Sequence, residues 1–396
     1  MGWFSGLTKH LPLASGPYVP GMVDLMLNYG KESSLVRLYY PSEQNPEERV
    51  SNNRWKTWIP DDSYLYGISK VLMLYPFVLR CVCWWSEHIV IPAVYGAKIK
   101  INNNKLKCIV LSHGLGGNRF LYSNICCELA SRGFLILALE HRDNSACNTF
   151  YYATRSDAEV DLRTHVEFKH VKLGREHHKT RNEQVKIRYS ECAKVLDFLK
   201  QLHQGIIPHN VLDDTPLHKD LGYDFDLKDL GGNLDMNNLC LMGHSFGAAT
   251  TLYTLSKITE FRFGILLDPW MFPVKSEHLE EKVQQPLLFI NTQTFHIVAN
   301  VEAMSKLLHA SETRRIMYTI KHTTHESQTD SVLLIGYWLN WFMKKLNPLQ
   351  ALKINNALIL TYLHKEISFP VNVGDCEALL RKEMGNFEEG LTKPWA

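Results

Sequence analysis

Short apolar runs alternate with stretches of helical spacing over most of the chain that follows Lys107. The runs are dominated by aliphatic and aromatic side chains, as is typical of strands buried inside a parallel sheet. Strands are predicted at 108–111, 134–139, 238–242, 263–267, 287–291 and 315–320, and helices at 121–131, toward the end of 154–201, and at 248–257. This alternation predicts an α/β fold with a mostly parallel central sheet and helices on both faces.

The length and composition favour one large domain. The chain has 396 residues, of which 45% are hydrophobic and 21% charged, so it can bury a substantial core. We predict a single catalytic domain over residues 1–396, with an N-terminal extension at 1–34 and a C-terminal tail at 366–396.

The net charge and the cysteine content indicate which binding partners and which cellular compartment to expect. The formal net charge is only +2, so the sequence gives no indication of nucleic-acid binding. The nine cysteines are an odd number, and the N-terminus lacks a signal-peptide pattern, so we expect reduced thiols and a cytoplasmic protein, with peripheral membrane association as a further option. Myristoylation of Gly2 is not favoured, because position 6 is Gly rather than the Ser or Thr of the acceptor motif. An N-terminus without a lipid is expected instead.

A G-x-S-x-G pattern at 243–247 stands between a predicted strand and a predicted helix. The bare pattern is common, but this context is that of a nucleophile elbow, in which a sharp turn projects the serine at the helix N-terminus. Ser245 is therefore the predicted nucleophile, and the α/β fold is predicted to be of the α/β-hydrolase type.

An acid and a base are expected to follow the nucleophile in that order. Asp268 directly follows the strand 263–267 and is the predicted acid. His322 and His325 both follow the strand 315–320, and residue order alone does not separate them as the base. His296 is a third candidate, which we interpret as a helix-start or surface histidine.

Two backbone N–H groups are expected to stabilise the developing oxyanion. One belongs to Phe246, the residue after the serine, and the other to Leu115 in a glycine-rich loop after the strand 108–111. Gly114 and Gly116 let the backbone approach the oxyanion closely.

No metal or cofactor is predicted. His165, His170, His177 and His178 lie in one charged stretch, but they lack the i, i+4 pair with an intervening glutamate that a helical zinc site needs. A solvated surface explains them better.

Together with the serine motif, four further motifs closely resemble those of the platelet-activating factor acetylhydrolases, calcium-independent lipases that remove short sn-2 acyl groups from phospholipids. The similarity runs from about 35 to about 365 and is greatest for the intracellular members. The motifs are SHGLG at 112–116, EHRD at 140–143, LDPWMFP at 267–273 and HESQTD at 325–330.

The resemblance implies Ser245 as nucleophile, Asp268 as acid, and Leu115 and Phe246 as oxyanion donors. The family histidine stands five residues before an aspartate, and His325 before Asp330 keeps that interval, so the resemblance selects His325 as the base. It also implies hydrolysis of platelet-activating factor and of phospholipids with short or oxidised sn-2 chains.

Two apolar stretches, 71–85 and 333–343, are either core helices or an interfacial patch, and the resemblance favours docking to a lipid surface. Arg80 lies within the first stretch and Glu87 just beyond it, so they break any apolar run of about 20 residues and a spanning helix is not predicted. Two other functions stay open: a carboxylesterase or lipase for neutral esters, and a catalytically silent lipid-binding homologue. Acyl-length limit, headgroup preference and oligomeric state are not predicted.

Overall fold

The structure is a computed structural model. It describes residues 10–49, 52–83, 88–101, 105–219, 223–310, 312–334, 345–390 and 392–394. Gly2 and most of the predicted apolar helix at 333–343 lie outside the described residues.

A ten-stranded sheet forms the centre of the molecule, and β6 and β7 pair in a separate two-stranded sheet. The order in the large sheet is β12-β11-β10-β9-β8-β4-β5-β2-β1-β3. The strands are β1 Val19–Leu27, β2 Ser34–Ser42, β3 Val94–Tyr95, β4 Leu106–Ser112, β5 Phe134–Glu140, β6 Asn148–Tyr151, β7 Thr164–Glu167, β8 Leu234–His244, β9 Phe261–Leu267, β10 Leu287–Thr292, β11 Arg315–Ile320 and β12 Phe387–Glu389.

Six neighbouring strands, from β11 across to β5, are mutually parallel. Antiparallel pairing appears where β2 joins β5, between β1 and β2, and where β12 joins β11. The carboxyl ends of the six parallel strands therefore lie along one edge, where ligand sites of such sheets are usually found.

Helices cover both faces of the sheet. Residues of α5, α7 and α9 pack in one apolar cluster, and residues of α1, α3, α11 and α12 pack in the other. The helices are α1 Asp62–Val71, α2 Pro76–Cys83, α3 Ser123–Ser131, α4 Arg155–Glu159, α5 Arg175–His203, α6 Pro216–Lys219, α7 Phe246–Leu255, α8 Leu279–Lys282, α9 Val298–His309, α10 Ser331–Leu334, α11 Pro348–Ile367 and α12 Gly374–Lys382.

The side chains of β4 show how the sheet divides the core. Cys108 and Val110 belong to one apolar cluster, whereas Ile109 and Leu111 belong to the other. Because successive side chains of a strand point to opposite faces, an uninterrupted apolar run is required where both faces are covered. The predicted α/β architecture with a mostly parallel sheet is confirmed.

Both chain ends contribute to this sheet. β1 lies within the predicted extension 1–34, and β12 lies within the predicted tail 366–396. Their role in the sheet was not predicted, and the division into one catalytic domain with two terminal segments stays a prediction. In the part of the chain that the structure describes, no helix combines the length and apolar character needed to cross a membrane.

Candidate active site

Ser245 stands in a sharp turn between β8 and α7, with φ 56° and ψ −115°. The left-handed φ is unusual for a non-glycine residue and costs conformational energy. A Cβ on Gly243 would lie 2.2 Å from the carbonyl oxygen of Gly247, and a Cβ on Gly247 would lie 2.0 Å from the carbonyl oxygen of Ser112. Both glycines of the pattern are therefore required by close backbone contacts around the serine.

Backbone hydrogen bonds hold the strained turn in place. The Ser245 N–H donates to the Leu267 carbonyl at 2.8 Å, and the Trp270 N–H donates to the Ser245 carbonyl at 3.1 Å. Ser245 is only 7% exposed. The turn is thus fixed to the end of β9, next to Asp268.

Asp268 follows β9 and is almost completely buried. Its Oδ2 lies 2.9 Å from Nδ1 of His325, which begins a 3-10 helix at His325–Gln328. Its Oδ1 accepts the backbone N–H of Thr292 at 2.6 Å, and Oδ2 also accepts the Thr292 hydroxyl. Sequence reasoning missed Thr292, although a polar residue at the carboxyl end of β10 was an available signal.

Two rings sandwich the imidazole of His325. The His244 ring lies on one side, with centroids 4.4 Å apart, and the Phe295 ring is stacked at 3.8 Å. The His325 side chain keeps 24% of its surface exposed. Because His244 directly precedes Ser245, this stacking brings the imidazole beside the predicted nucleophile.

The structure places the other two candidate histidines differently. The His322 backbone N–H donates to the side chain of Gln293, and its carbonyl accepts from Leu346. His296 is buried and bonds to Thr392 through Nε2. Burial lowers the pKa of His296. Of the three candidates, it is His325 that is hydrogen-bonded to Asp268.

The two predicted oxyanion donors lie in segments that approach each other, since a Cβ on Gly114 would lie 3.3 Å from Cβ of Ser245. The N–H groups of Gly114, Gly116 and Gly117 all have acceptors, whereas among the described residues the Leu115 N–H has none. Phe246 is the first residue of α7, so its N–H has no acceptor within the helix. Both groups are therefore free to bind an anion.

Tyr122 connects the glycine-rich loop to the nucleophile strand. Its hydroxyl accepts the Gly114 N–H at 2.9 Å and lies 2.9 Å from Nδ1 of His244. Burial is the main reason that the pKa of His244 lies well below its usual range, and the adjacent His325 lowers it further. Tyr122 was not predicted as a site residue, because its place depends on contacts between distant segments.

Asp330 fixes the segment that carries His325. Its carboxylate accepts the N–H groups of Ser123 and Asn124, at the start of α3, at 2.7 and 3.1 Å. The Trp58 indole donates to it at 3.0 Å. The contacts of Asp330 with α3 and Trp58 therefore explain why an aspartate stands five residues after His325.

A buried polar network lies behind the glycine-rich loop. The Ser112 hydroxyl lies 2.7 Å from Nε2 of His141, whose Nδ1 lies 2.6 Å from Glu191. Burial lowers the pKa of His141 well below its usual range and raises the pKa of Glu191 to about 7. This network was not predicted from the sequence.

The nitrogen and oxygen atoms of His244, Asp268 and His325 lie within 4.8 Å of one another. Such a group could in principle hold a metal ion. However, Asp268 and His325 are hydrogen-bonded to each other, and Nδ1 of His244 lies against Tyr122. This pairing suits proton transfer better than metal ligation. Among the described residues, the Ser245 hydroxyl forms no hydrogen bond.

The four histidines considered for zinc are dispersed. His165 and His170 are exposed, in and after β7. His177 and His178 are half-buried in α5 against the ring of Phe272.

An exposed apolar turn runs from the end of α1 into the first turn of α2. Met73, Tyr75 and Phe77 keep 81%, 74% and 68% of their surfaces exposed. Val71 adjoins the glycine-rich loop, since a Cβ on Gly116 would lie 2.6 Å from its Cγ1. The apolar turn, residues 72–77, is thus next to the predicted oxyanion loop.

Comparison with known proteins agrees with the resemblance. The sequence model of the family described as platelet-activating factor acetylhydrolase, isoform II, matches residues 4–386. A platelet-activating factor acetylhydrolase of Gallus gallus is 36% identical, covering 90% of this chain and 84% of its own, and one of Bos taurus is 32% identical, covering 96% and 82%.

One more distant relative and one solved structure are also similar to this chain. A putative phospholipase A2 of Schizosaccharomyces pombe is 25% identical over 92% of this chain and 94% of its own. A solved ferulic acid esterase from Streptomyces cinnamoneus superimposes with a TM-score of 0.59, over 90% of this chain and 93% of its own, at 16% identity. That likeness concerns the fold alone. The extent of the family match shows that the chain belongs to the platelet-activating factor acetylhydrolase, isoform II, family of carboxylic ester hydrolases.

Proposed function

We propose that this protein hydrolyses the sn-2 acetyl ester, or a short or oxidised sn-2 acyl ester, of platelet-activating factor and related phospholipids. Ser245 is the nucleophile, His325 the general base, and Asp268 the acid that orients the imidazole. The names of the relatives support the substrate class. One observation carries the assignment of roles: Oδ2 of Asp268 lies 2.9 Å from Nδ1 of His325.

That hydrogen bond supports Nε2 as the nitrogen that acts as the base. A buried carboxylate at Nδ1 favours the tautomer with its proton on that atom, so Nε2 keeps a free lone pair. Nε2 then takes the proton from the Ser245 hydroxyl as Oγ attacks the sn-2 carbonyl carbon. Asp268 stabilises the imidazolium that forms.

The carbonyl oxygen becomes an oxyanion in the tetrahedral intermediate. The free N–H groups of Leu115 and Phe246, together with the N-terminus of α7, stabilise this charge. When the intermediate collapses, the lysophospholipid oxygen leaves with the proton from His325. Water then enters, gives its proton to His325, and hydrolyses the acyl-Ser245 ester.

Peripheral docking to a lipid surface is part of the proposal. The apolar turn, residues 72–77, exposes Met73, Tyr75 and Phe77 next to the loop that contains Leu115. Exposed apolar and aromatic side chains in one place favour insertion at headgroup depth. Insertion of this turn would hold the site at the lipid surface.

The proposal is tested by hydrolysis of phosphocholines with sn-2 chains of increasing length, with calcium chelated. We expect the highest activity with acetyl and short chains. Ser245→Ala should lower kcat at least about 10³-fold. Ser256→Ala is the matched control, because within the described part of the chain its hydroxyl donates only to the Tyr253 carbonyl, at the opposite end of α7.

Labelling with a fluorophosphonate supplies a second readout. The wild-type protein should be labelled at Ser245, and His325→Gln should be labelled far more slowly. Full activity of Ser245→Ala would exclude the serine mechanism. Activity that requires calcium, or that is greatest with long chains, would exclude the proposed substrate.

A further inference from the structure

Arg188 of α5 is fully buried and contacts three segments around the proposed oxyanion site. Its side chain and that of Asp143 both have 0% exposure, and Nε lies 2.9 Å from Asp143 Oδ2. Its Nη1 donates to the carbonyl of His113 at 2.6 Å, and its Nη2 donates to the hydroxyl of Ser145. The guanidinium also lies over the ring of Phe246, 4.3 Å from the centroid.

Two of these contacts hold the glycine-rich loop on both sides of Leu115. The His113 carbonyl belongs to the peptide that precedes Gly114. The Ser145 carbonyl accepts the Gly116 N–H at 2.7 Å, and the hydroxyl of the same serine bonds to Arg188. Arg188 therefore restrains the residues before and after the Leu115 N–H.

The third contact holds the other donor. The Phe246 ring is completely buried, so its position is set by what packs on it. Arg188 covers one part of that ring, and Trp270 packs on it edge to face, with centroids 5.6 Å apart. A cation over an aromatic ring in a desolvated place is attractive. The same guanidinium thus restrains both free N–H groups.

We propose that Arg188 is a positioning residue that sets the separation and direction of the Leu115 and Phe246 N–H groups. The inference rests on the proposed function, because it needs an oxyanion between these two donors. A buried ion pair is seldom the most favourable way to stabilise a fold, because removing both charges from water costs free energy. The planar guanidinium, however, bonds to three acceptors at fixed angles, which an apolar side chain of similar volume does not.

The test compares Arg188→Met and Arg188→Lys with the wild-type protein on a soluble short-chain ester. Arg188→Met should lower kcat roughly 10²-fold to 10³-fold with little change in KM, as the loss of an oxyanion donor does. Arg188→Lys keeps the positive charge but lacks the planar guanidinium group, so its kcat should lie between those of Arg188→Met and the wild-type protein.

Inhibition by a trifluoromethyl ketone separates positioning from general loss of structure. This probe forms a tetrahedral adduct with the serine, so its Ki should rise by a factor similar to the fall in kcat/KM. Arg132→Met is the matched control: Arg132 is also buried and paired, with Glu128 and Asp375, but it lies at the amino end of β5. It should lower the melting temperature and leave kcat and Ki unchanged.

Ser145→Ala keeps the test decisive if Arg188→Met does not fold. It removes one acceptor of Arg188 and preserves the Gly116 hydrogen bond, which uses the Ser145 carbonyl. It should lower kcat about tenfold and raise the Ki by the same factor. Unchanged kcat and Ki in folded Arg188→Met, or in Ser145→Ala, would overturn the inference. Activity retained by Ser245→Ala would instead refute the proposed mechanism itself.

Discussion

The rings of Phe295 and His325 lie face to face, with centroids 3.8 Å apart and an interplanar angle of 18°. Phe295 precedes His296, which is buried and has its Nε2 2.8 Å from the hydroxyl oxygen of Thr392. The C-terminal segment therefore anchors the loop that packs on the proposed base. Stacking restricts the rotation of the imidazole about its side-chain bonds.

Phe295→Ala should lower kcat about fivefold to tenfold and leave KM on a soluble ester nearly unchanged. The Asp268 hydrogen bond remains, so the loss corresponds to one aromatic contact, on the order of 1 kcal/mol. Steady-state kinetics check it. Phe369→Ala is the control, because Phe369 packs edge to face on Phe134 instead. An equal loss of kcat in both variants would contradict a specific role for the stacking.

Thr292→Val should lower kcat roughly tenfold to 100-fold. The substitution keeps the shape and the backbone N–H that donates to Asp268 at 2.6 Å, but it removes the hydroxyl donor to the other oxygen. Hydrogen bonds to a charged group are worth about 1.5–3 kcal/mol. Thr361→Val is the control, since the hydrogen bonds that the Thr361 hydroxyl makes to described residues both lie within α11. Wild-type kcat in Thr292→Val would exclude this support of the acid.

Gly247→Ala should abolish activity and destabilise the protein by about 3 kcal/mol or more. The added Cβ would lie 2.0 Å from the backbone carbonyl oxygen of Ser112, which cannot rotate away as a flexible side chain could, so β4 or α7 must shift. Thermal unfolding and the soluble-ester assay measure the two effects. A Cβ on Gly385 would meet no atom of the described residues within 4 Å, so Gly385→Ala should match the wild type in both. A stable, active Gly247→Ala protein would contradict the described turn.

The parts of the site that local sequence determines were predictable. The turn around Ser245 needs small residues at fixed positions, and Asp268 directly follows a buried strand. The choice between His322 and His325 was not decided by residue order, because both follow β11 within the same loop. The resemblance selected His325, and that residue bonds to Asp268.

The residues that support the site were not predictable in the same way. Tyr122, Thr292 and Arg188 make their contacts across long sequence separations. The position of Thr292 at the carboxyl end of β10 was an available signal, but residue order does not show which groups Tyr122 and Arg188 contact. The strands β1 and β2 also escaped prediction. Both are buried along their length, yet polar residues such as Asp24 and Arg37 interrupt the apolar pattern, because these two form a buried ion pair.

Combined substitution Met73→Ser and Tyr75→Ser should weaken binding to phosphatidylcholine vesicles at least about tenfold. Both side chains are largely exposed, and burying an apolar side chain of this size in lipid is worth about 1.5–3 kcal/mol. Vesicle co-sedimentation measures the binding, and kcat on a soluble ester should be unchanged. Val371→Ser, 78% exposed in the C-terminal part of the chain, is the control. Equal vesicle binding by the double variant would exclude docking through this turn.

Glu191 should make the stability of the wild-type protein fall as pH rises. Burial raises the folded pKa of this carboxyl from 4.5 to about 7, so between these values the folded protein retains a proton that the unfolded chain releases. The folded state therefore binds more protons, and the free energy of unfolding decreases through this window. Oε2 of this carboxyl lies 2.6 Å from Nδ1 of His141.

Glu191→Gln removes this titration and keeps a donor toward His141. Relative to the wild type, the variant should gain up to about 3 kcal/mol in the free energy of unfolding between pH 4.5 and pH 8. Urea unfolding at several pH values measures the difference between the variant and the wild type. Buried histidines that are present in both proteins contribute equally to the two values, so their contributions cancel in the difference. A difference that stays constant with pH would mean that Glu191 ionises as readily in the folded protein as in the unfolded chain.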